Sequence, residues 1–243
     1  MDLHPTLQRL WISEPIFQAP IGGVASPELA AAVSESGGFG QLACTWRSVE
    51  QLDALFRRMA SLTSRPYGVN FVLDFPIAAK LEATLAHEVA AISFFWGDGS
   101  AYVDRVKAAG ALAIQVAGSI AEAKRSAAAG FDLIVAQGVE AGGHVRGELG
   151  LMALVPQVVD AVAPVPVLAA GGIADARGVA AALALGAKGV WVGTRCLAAE
   201  EANIHRAYRD RVFASGRRQA SRAHRIGLAR AMSSTTSVRR HAM

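Results

Sequence analysis

The chain has 243 residues, 52% of them hydrophobic and 18% charged, enough apolar material for one large domain and too much for a disordered chain. Its pI of about 9.4 comes from one end: residues 216–243 hold seven arginines and no acid, and without them 17 basic residues face 20 acidic ones. The remaining net charge of −3 gives no basis for a nucleic-acid-binding surface on residues 1–215.

No signal-peptide pattern opens the chain, and no uncharged apolar run reaches the ~18 residues of a membrane helix, so a cytoplasmic protein is expected. Cys44 and Cys196 lie far apart with no CxxC pattern and are expected as free thiols.

Residues 15–20 are the first expected strand, and Ser26 with Pro27 opens a helix to about residue 36. Residues 39–44 follow as a strand. Ser48 then caps a helix whose Leu52, Leu55, Phe56 and Met59 fall at helical spacing. Strands are expected over residues 67–73, 91–96 and 112–117, with helices over residues 77–87 and 101–109 between them. Ser119 caps the next helix, and Glu122, three residues on, is expected to complete a capping box. Residues 133–136 form the sixth strand, and a helical pattern resumes over residues 149–161. Residues 165–170 form the seventh strand. Asp175 caps a helix ending at Gly186, and residues 189–192 form the eighth strand.

The strands are continuous apolar runs rather than strict alternations, as in parallel strands covered by helices. The expected fold is α/β, a closed (β/α)8 TIM barrel over residues 1–215. An open doubly wound sheet is the alternative, weakened by the lack of GxGxxG in the first strand-to-helix turn. Residues 216–243 read as a poorly ordered tail rich in Arg, Ser and Ala, with a short amphipathic helix over residues 223–232 as an option.

The stretch LIVAQGVEAGGHVRGELG, residues 133–150, carries the most chemistry. It runs from strand to glycine-rich loop to helix and places His144 just past the strand's C-terminal end. Gly142 and Gly143 would let a flat ligand approach the backbone there. Imidazole is the side chain that titrates nearest neutrality, so His144 is a candidate general base. Gly171-Gly172 after the seventh strand and Gly193-Thr194 after the eighth fall where barrels place a phosphate grip. Asn70 stands inside a strand, where asparagine is unfavourable, and is expected to turn its amide to a ligand in the mouth. Gln137 has a similar position, and a planar amide suits the edge of a heterocycle. Glu140 is read either as orienting the loop or as a solvated carboxylate. The other histidines read as structural, and no cluster has metal-ligand spacing, so no metal is expected. GxSxG and GxxxxGK[ST] are both absent.

Together these segments resemble the nitronate monooxygenases, formerly 2-nitropropane dioxygenases. These are FMN-dependent barrels related to the flavin-containing enoyl-acyl-carrier-protein reductases. The resemblance rests on APIGG at residues 19–23 with SPELA at 26–30, SGGFG at 36–40, GVNF at 68–71, AQGVEAGGH at 136–144, AAGGI at 169–173 and VGTR at 192–195. It covers about residues 13–212. It implies Ala19, Pro20 and Ile21 as the backbone wall beside the flavin ring. It also implies Asn70, Gln137 and Gly142 as FMN contacts, and Gly171, Gly172, Gly193 and Thr194 as the phosphate grip. His144 matches the family's catalytic base.

The implied activity is FMN-dependent oxidation of alkyl nitronates, or of nitroalkanes once His144 removes the α-proton, with O2 to carbonyl compounds and nitrite. The alternatives are an NAD(P)H-dependent enoyl-thioester reductase and a flavin-binding protein without turnover. Small molecules and O2 are the expected partners, with no nucleic acid or membrane and with a homodimer as the candidate assembly. Family members continue beyond the eighth unit with helices over the barrel. The arginine-rich tail is therefore expected to be a truncated or frame-shifted end.

Overall fold

Alternation along each strand decides which residues face inward and which meet the helices. In β6 (Leu133–Gln137), Leu133 and Val135 join the barrel interior while Ile134 and Ala136 pack outward. In β7 (Val167–Ala170), Leu168 and Ala170 point in and Val167 and Ala169 point out. Both faces of each strand are apolar because both are buried, which explains the unbroken apolar runs.

The computed structural model describes residues 3–214. The expected tail at residues 216–243, with its helix over residues 223–232, lies outside the described residues. A short helix, α1 (Pro5–Gln8), comes first and places Leu7 in the barrel's interior cluster with Leu10 and Ile12. Eight parallel strands follow: β1 (Ile16–Gln18), β2 (Gly40–Ala43), β3 (Tyr67–Val72), β4 (Ala91–Phe95), β5 (Leu112–Ala117), β6, β7 and β8 (Gly189–Val192). Their order is β1-β8-β7-β6-β5-β4-β3-β2. An isolated parallel bridge, Phe17 to Phe39, joins the two edges. The structure is thus a nearly closed (β/α)8 barrel.

The β1–β2 edge is completed by side chains. Gln18 Oε1 accepts from Gln41 N at 2.8 Å, and Gln41 Nε2 donates to Gln18 O at 2.9 Å.

Between the strands run α2 (Pro27–Glu35), α3 (Val49–Leu62), α4 (Ala78–Leu85), α5 (Val103–Ala108), α6 (Ile120–Ala128), α7 (Leu151–Val162) and α8 (Ala176–Ala184), and α9 (Arg206–Ala214) follows β8. Their starts follow local chemistry. Ser26, Ser48, Ser119 and Asp175 each accept a backbone N–H in the first turn. The structure corrects one detail. Glu122 does not close a capping box on Ser119, because its Oε2 accepts from Gly118 N at 2.8 Å instead. The complete box is at Ser48 and Gln51. The helix expected over residues 101–109 is a 3₁₀ turn, Ser100–Tyr102, running into α5.

Three apolar clusters result. One lies between α2–α5 and β2–β5, a second between α7, α8 and β6–β8, and the third fills the barrel with Phe17, Phe39, Leu112, Ile114 and Trp191 among others. No described helix is long and apolar enough to cross a membrane.

Candidate functional site at the C-terminal mouth of the barrel

The loops after β1, β6, β7 and β8 converge. A Cβ on Gly193 would lie 3.5 Å from Ala19 Cβ and 3.8 Å from Ile21 Cδ1. One on Gly142 would lie 2.9 Å from Thr194 Oγ1. Gly171 and Gly172 back onto Ala141 N and Glu140 Cβ, with 3.0 and 3.2 Å for the same construction. The structure therefore brings together Ala19, Ile21, Gly142, Gly171, Gly172, Gly193 and Thr194, with Pro20 carried between its neighbours.

Gly171 (φ 131°) and Gly172 (φ 66°) have backbones that only glycine adopts without strain. This turn leaves donors unused. The backbone N–H groups of Gly142, Gly171, Gly172, Gly193 and Thr194 donate to no acceptor among the described residues. Backbone N–H groups without an internal acceptor are the donors that a bound anion uses.

The β6–α7 loop is tied at its base. Val139 N donates to Leu149 O at 3.0 Å, and both Glu140 carboxylate oxygens accept from Leu151 N at 3.0 and 2.9 Å. Gly150 at the start of α7 offers no side-chain cap, so Glu140 supplies the acceptor and the negative charge that a helix N-terminus favours. Of its two expected readings, the loop-orienting one agrees with this geometry. Gly147 rests directly on Gly118, where a Cβ on either residue would strike the other's backbone.

His144 lies in the span between these ties. Gln137 Nε2 donates to His144 O at 3.3 Å, and the His144 ring meets Trp96 with centroids 4.5 Å apart at 79°. Beside them is a cleft of about 170 Å³ whose walls include Trp96, Asp98, Gln115, Gln137, Arg125 and Arg146. The Ser100 hydroxyl and N–H hold Asp98 below the usual carboxylate range.

Asn70 occupies the other side of the mouth and is 5% exposed. Its Nδ2 donates to Ser93 Oγ at 3.0 Å and to Ser93 O at 3.2 Å. Ser93 O can only accept, so this bond fixes the amide's orientation. Ser93 Oγ in turn lies 3.4 Å from Gln41 Oε1. A chain of polar groups thus runs from Asn70 through Ser93, Gln41 and Gln18 to Ala19 O, which accepts from Gln18 Nε2 at 2.6 Å. Among the described residues, no three His, Cys, Asp or Glu side chains are placed to hold a metal ion.

Gln18, Gln41, Ser93, Trp96 and Gln115 escaped the sequence reading. Gln41 and Ser93 are polar residues within apolar strands, the signal by which Asn70 was found. Trp96 stands immediately before Gly-Asp-Gly at a strand's end.

A sequence model of nitronate monooxygenase matches residues 4–79 and 75–237. The chain belongs to the nitronate monooxygenase family. Members of this family are flavin-dependent oxidoreductases. The match runs past residue 212, where the resemblance read from the sequence ended.

An octahydro-indene-carboxyl-CoA dehydrogenase of Rhodococcus jostii is 36% identical over 206 residues, which are 84% of this chain and 58% of that protein. The chain thus spans less than two thirds of that relative's length. Among solved structures, FabK from Thermotoga maritima superposes with a TM-score of 0.83 at 36% identity, over 87% of this chain and 68% of that one. A nitroalkane oxidase from Streptomyces ansochromogenes gives a TM-score of 0.79 at 34% identity, over 84% of this chain and 72% of that one.

A phosphorylated flavin suits the mouth on two counts. Its phosphate needs N–H donors, and unclaimed ones stand at Gly171, Gly172, Gly193 and Thr194. Its ring needs a close wall, and the side chains of Ala19 and Ile21 stand beside Gly193.

Proposed function

We propose that this chain oxidises alkyl nitronates with O2 and FMN to carbonyl compounds and nitrite. Neutral nitroalkanes enter the same reaction after proton removal. The observation that carries this reading is the set of unclaimed backbone N–H groups at Gly171, Gly172, Gly193 and Thr194. FMN supplies the electron acceptor when bound.

The chain's own residues do the rest. Gly171, Gly172, Gly193 and Thr194 hold the phosphate through backbone N–H groups, which accept an anion without a buried counter-charge. Gly142 lets the β6–α7 loop close on Thr194, whose Oγ1 would lie 2.9 Å from a Cβ there. Asn70 has its Nδ2 committed to Ser93, so it offers Oδ1 to an N–H or O–H on the ligand. His144 takes the α-proton of a nitroalkane at a ring nitrogen, or bonds the oxygens of a nitronate that arrives already deprotonated. Gln137 holds the His144 backbone beside the cleft.

The first test is the visible spectrum of the full chain after incubation with FMN and desalting. A retained flavin spectrum is expected, and its absence with a folded circular-dichroism signal would remove the cofactor assignment. His144→Ala is expected to keep FMN and to lose nitroalkane turnover by ~10²-fold or more, the scale of a lost general base. An undiminished rate would remove His144 from proton abstraction.

A second reading is an NAD(P)H-dependent reductase of unsaturated thioesters. The 36% identity to a CoA-ester dehydrogenase favours it, and Arg125 and Arg146 at the cleft suit a phosphorylated carrier. Rapid bleaching of the flavin by NADPH, with nitronates inert, would select it. Bound FMN with neither activity would leave a flavin-binding protein.

A further inference from the structure

Two costly features meet at Trp96. Its backbone has φ 55°, a conformation that residues with a Cβ adopt only when held there. Its Nε1 is buried with no hydrogen-bond partner among the described residues, although buried donors are normally bonded. Neither feature favours Trp96 itself. Both accompany a contact: the indole lies edge-to-face against His144, with centroids 4.5 Å apart.

The turn that follows shows how the indole is held. Gln115 clasps this turn, accepting from Gly99 N and donating to Gly97 O, both at 3.3 Å. Gly97, at φ 114°, backs onto Leu73. Phe95 stacks on the indole with centroids 5.5 Å apart at 29°. The turn that carries Trp96 is therefore held by Gln115, and the indole is packed along one face by Phe95.

His144 has a backbone tie through Gln137. That bond fixes where the residue lies and leaves the two side-chain torsions free. The imidazole makes its ring contact with Trp96.

We propose that Trp96 is a positioning residue that sets the plane of the His144 imidazole at the cleft, with Gln115 holding Trp96 in place. This rests on the reading of His144 as the group that removes the substrate's proton. A base must stand within hydrogen-bond reach of the proton it takes. The strain and the orphaned donor at Trp96 are the local cost of that placement.

The test uses three variants of the full, FMN-loaded chain. Trp96→Gly keeps the left-handed turn without strain and removes only the indole. Trp96→Phe restores an aromatic ring. His144→Ala reports on the base itself. Two substrates separate positioning from general damage, because a neutral nitroalkane needs its proton removed and a preformed nitronate does not.

Trp96→Gly is expected to lower kcat/KM for the nitroalkane by about 10- to 100-fold, the range for a misplaced catalytic group. Nitronate turnover should fall clearly less, and Trp96→Phe should recover most of the loss. Equal losses on both substrates, or no loss on either, would overturn the proposal.

A second readout needs no activity. The ring protons of His144, assigned by their disappearance in His144→Ala, are expected to carry a ring-current shift that Trp96→Gly abolishes. Unchanged resonances would overturn the proposal even if the enzyme turned over neither substrate. If His144→Ala spares nitroalkane turnover, the base reading fails. The ring-proton shift then still decides whether Trp96 orders the imidazole.

Discussion

The two thiols show how far burial alone sets a residue's chemistry. Cys44, beside the end of β2, is pushed up to about 12 by desolvation, against smaller opposing effects of Arg47 and Lys80. Cys196, in the 3₁₀ turn after β8, is pushed up to about 11 for the same reason, partly offset by Arg195. Both therefore stay protonated at any ordinary pH, and the thiolate is the reactive form. Neither is expected to react with iodoacetamide at pH 8 in the folded chain, and both should react in denaturant. Mass spectrometry of the two samples checks this, and native labelling of Cys44 would contradict its burial.

At this scale Asn70 was legible because asparagine is out of place in a strand. Its exact use was not, because Ser93 becomes its neighbour only through the β3–β4 register. Trp96 was hidden for another reason. A tryptophan at a strand end reads as core until its backbone angle and its bare N–H are known.

At the scale of elements, caps explain most helix starts, and one of them makes stability depend on pH. His4 Nδ1 accepts from Thr6 N and so caps α1. Burial, and then the nearby Lys188, lowers its pKa below the ordinary 6.5. The fold thus favours the neutral ring, and the unfolded chain takes the proton more readily. Stability from this group is full above about 6.5 and is lost as pH falls through the lowered value. The melting temperature is expected to drop between pH 7 and pH 5 by an amount that His4→Asn removes, since asparagine caps without titrating. An identical drop in the variant would place the effect elsewhere.

Strand and helix positions were readable from apolar runs and capping residues, and β5 and β8 begin and end where those signals put them. The Glu140 cap on α7 was not readable, because acceptor and helix start are eleven residues apart. Only the folded loop brings them together. Glu122 misled for the opposite reason: its spacing from Ser119 fits a box, yet Gly118 N is the donor it reaches.

For the whole molecule, the question is how an eight-stranded sheet closes. Seven neighbouring pairs have ladders, and β1 meets β2 through the Phe17–Phe39 bridge and the Gln18–Gln41 amides. Replacing Gln18 by alanine would leave the buried Gln41 N–H without its acceptor, a loss of about 2 kcal/mol. The expected result is a melting temperature lower by roughly 4–8 °C, measured by circular dichroism. No change would mean that the bridge alone closes the barrel. The barrel was legible as a class from eight alternating units, but this edge was not, because the amides that join it are 23 residues apart.

The same edge sets an order on the birth of the protein. β1 leaves the ribosome before the strand it pairs with residue by residue: β8 is made more than 170 residues later, with Ile16 waiting for Val190. Until then the first strand has only its narrow attachment to the second. The first strand of the barrel is thus the last to find its ladder. For most of translation the growing chain carries an open sheet, whose exposed edge a chaperone or a neighbouring chain can reach.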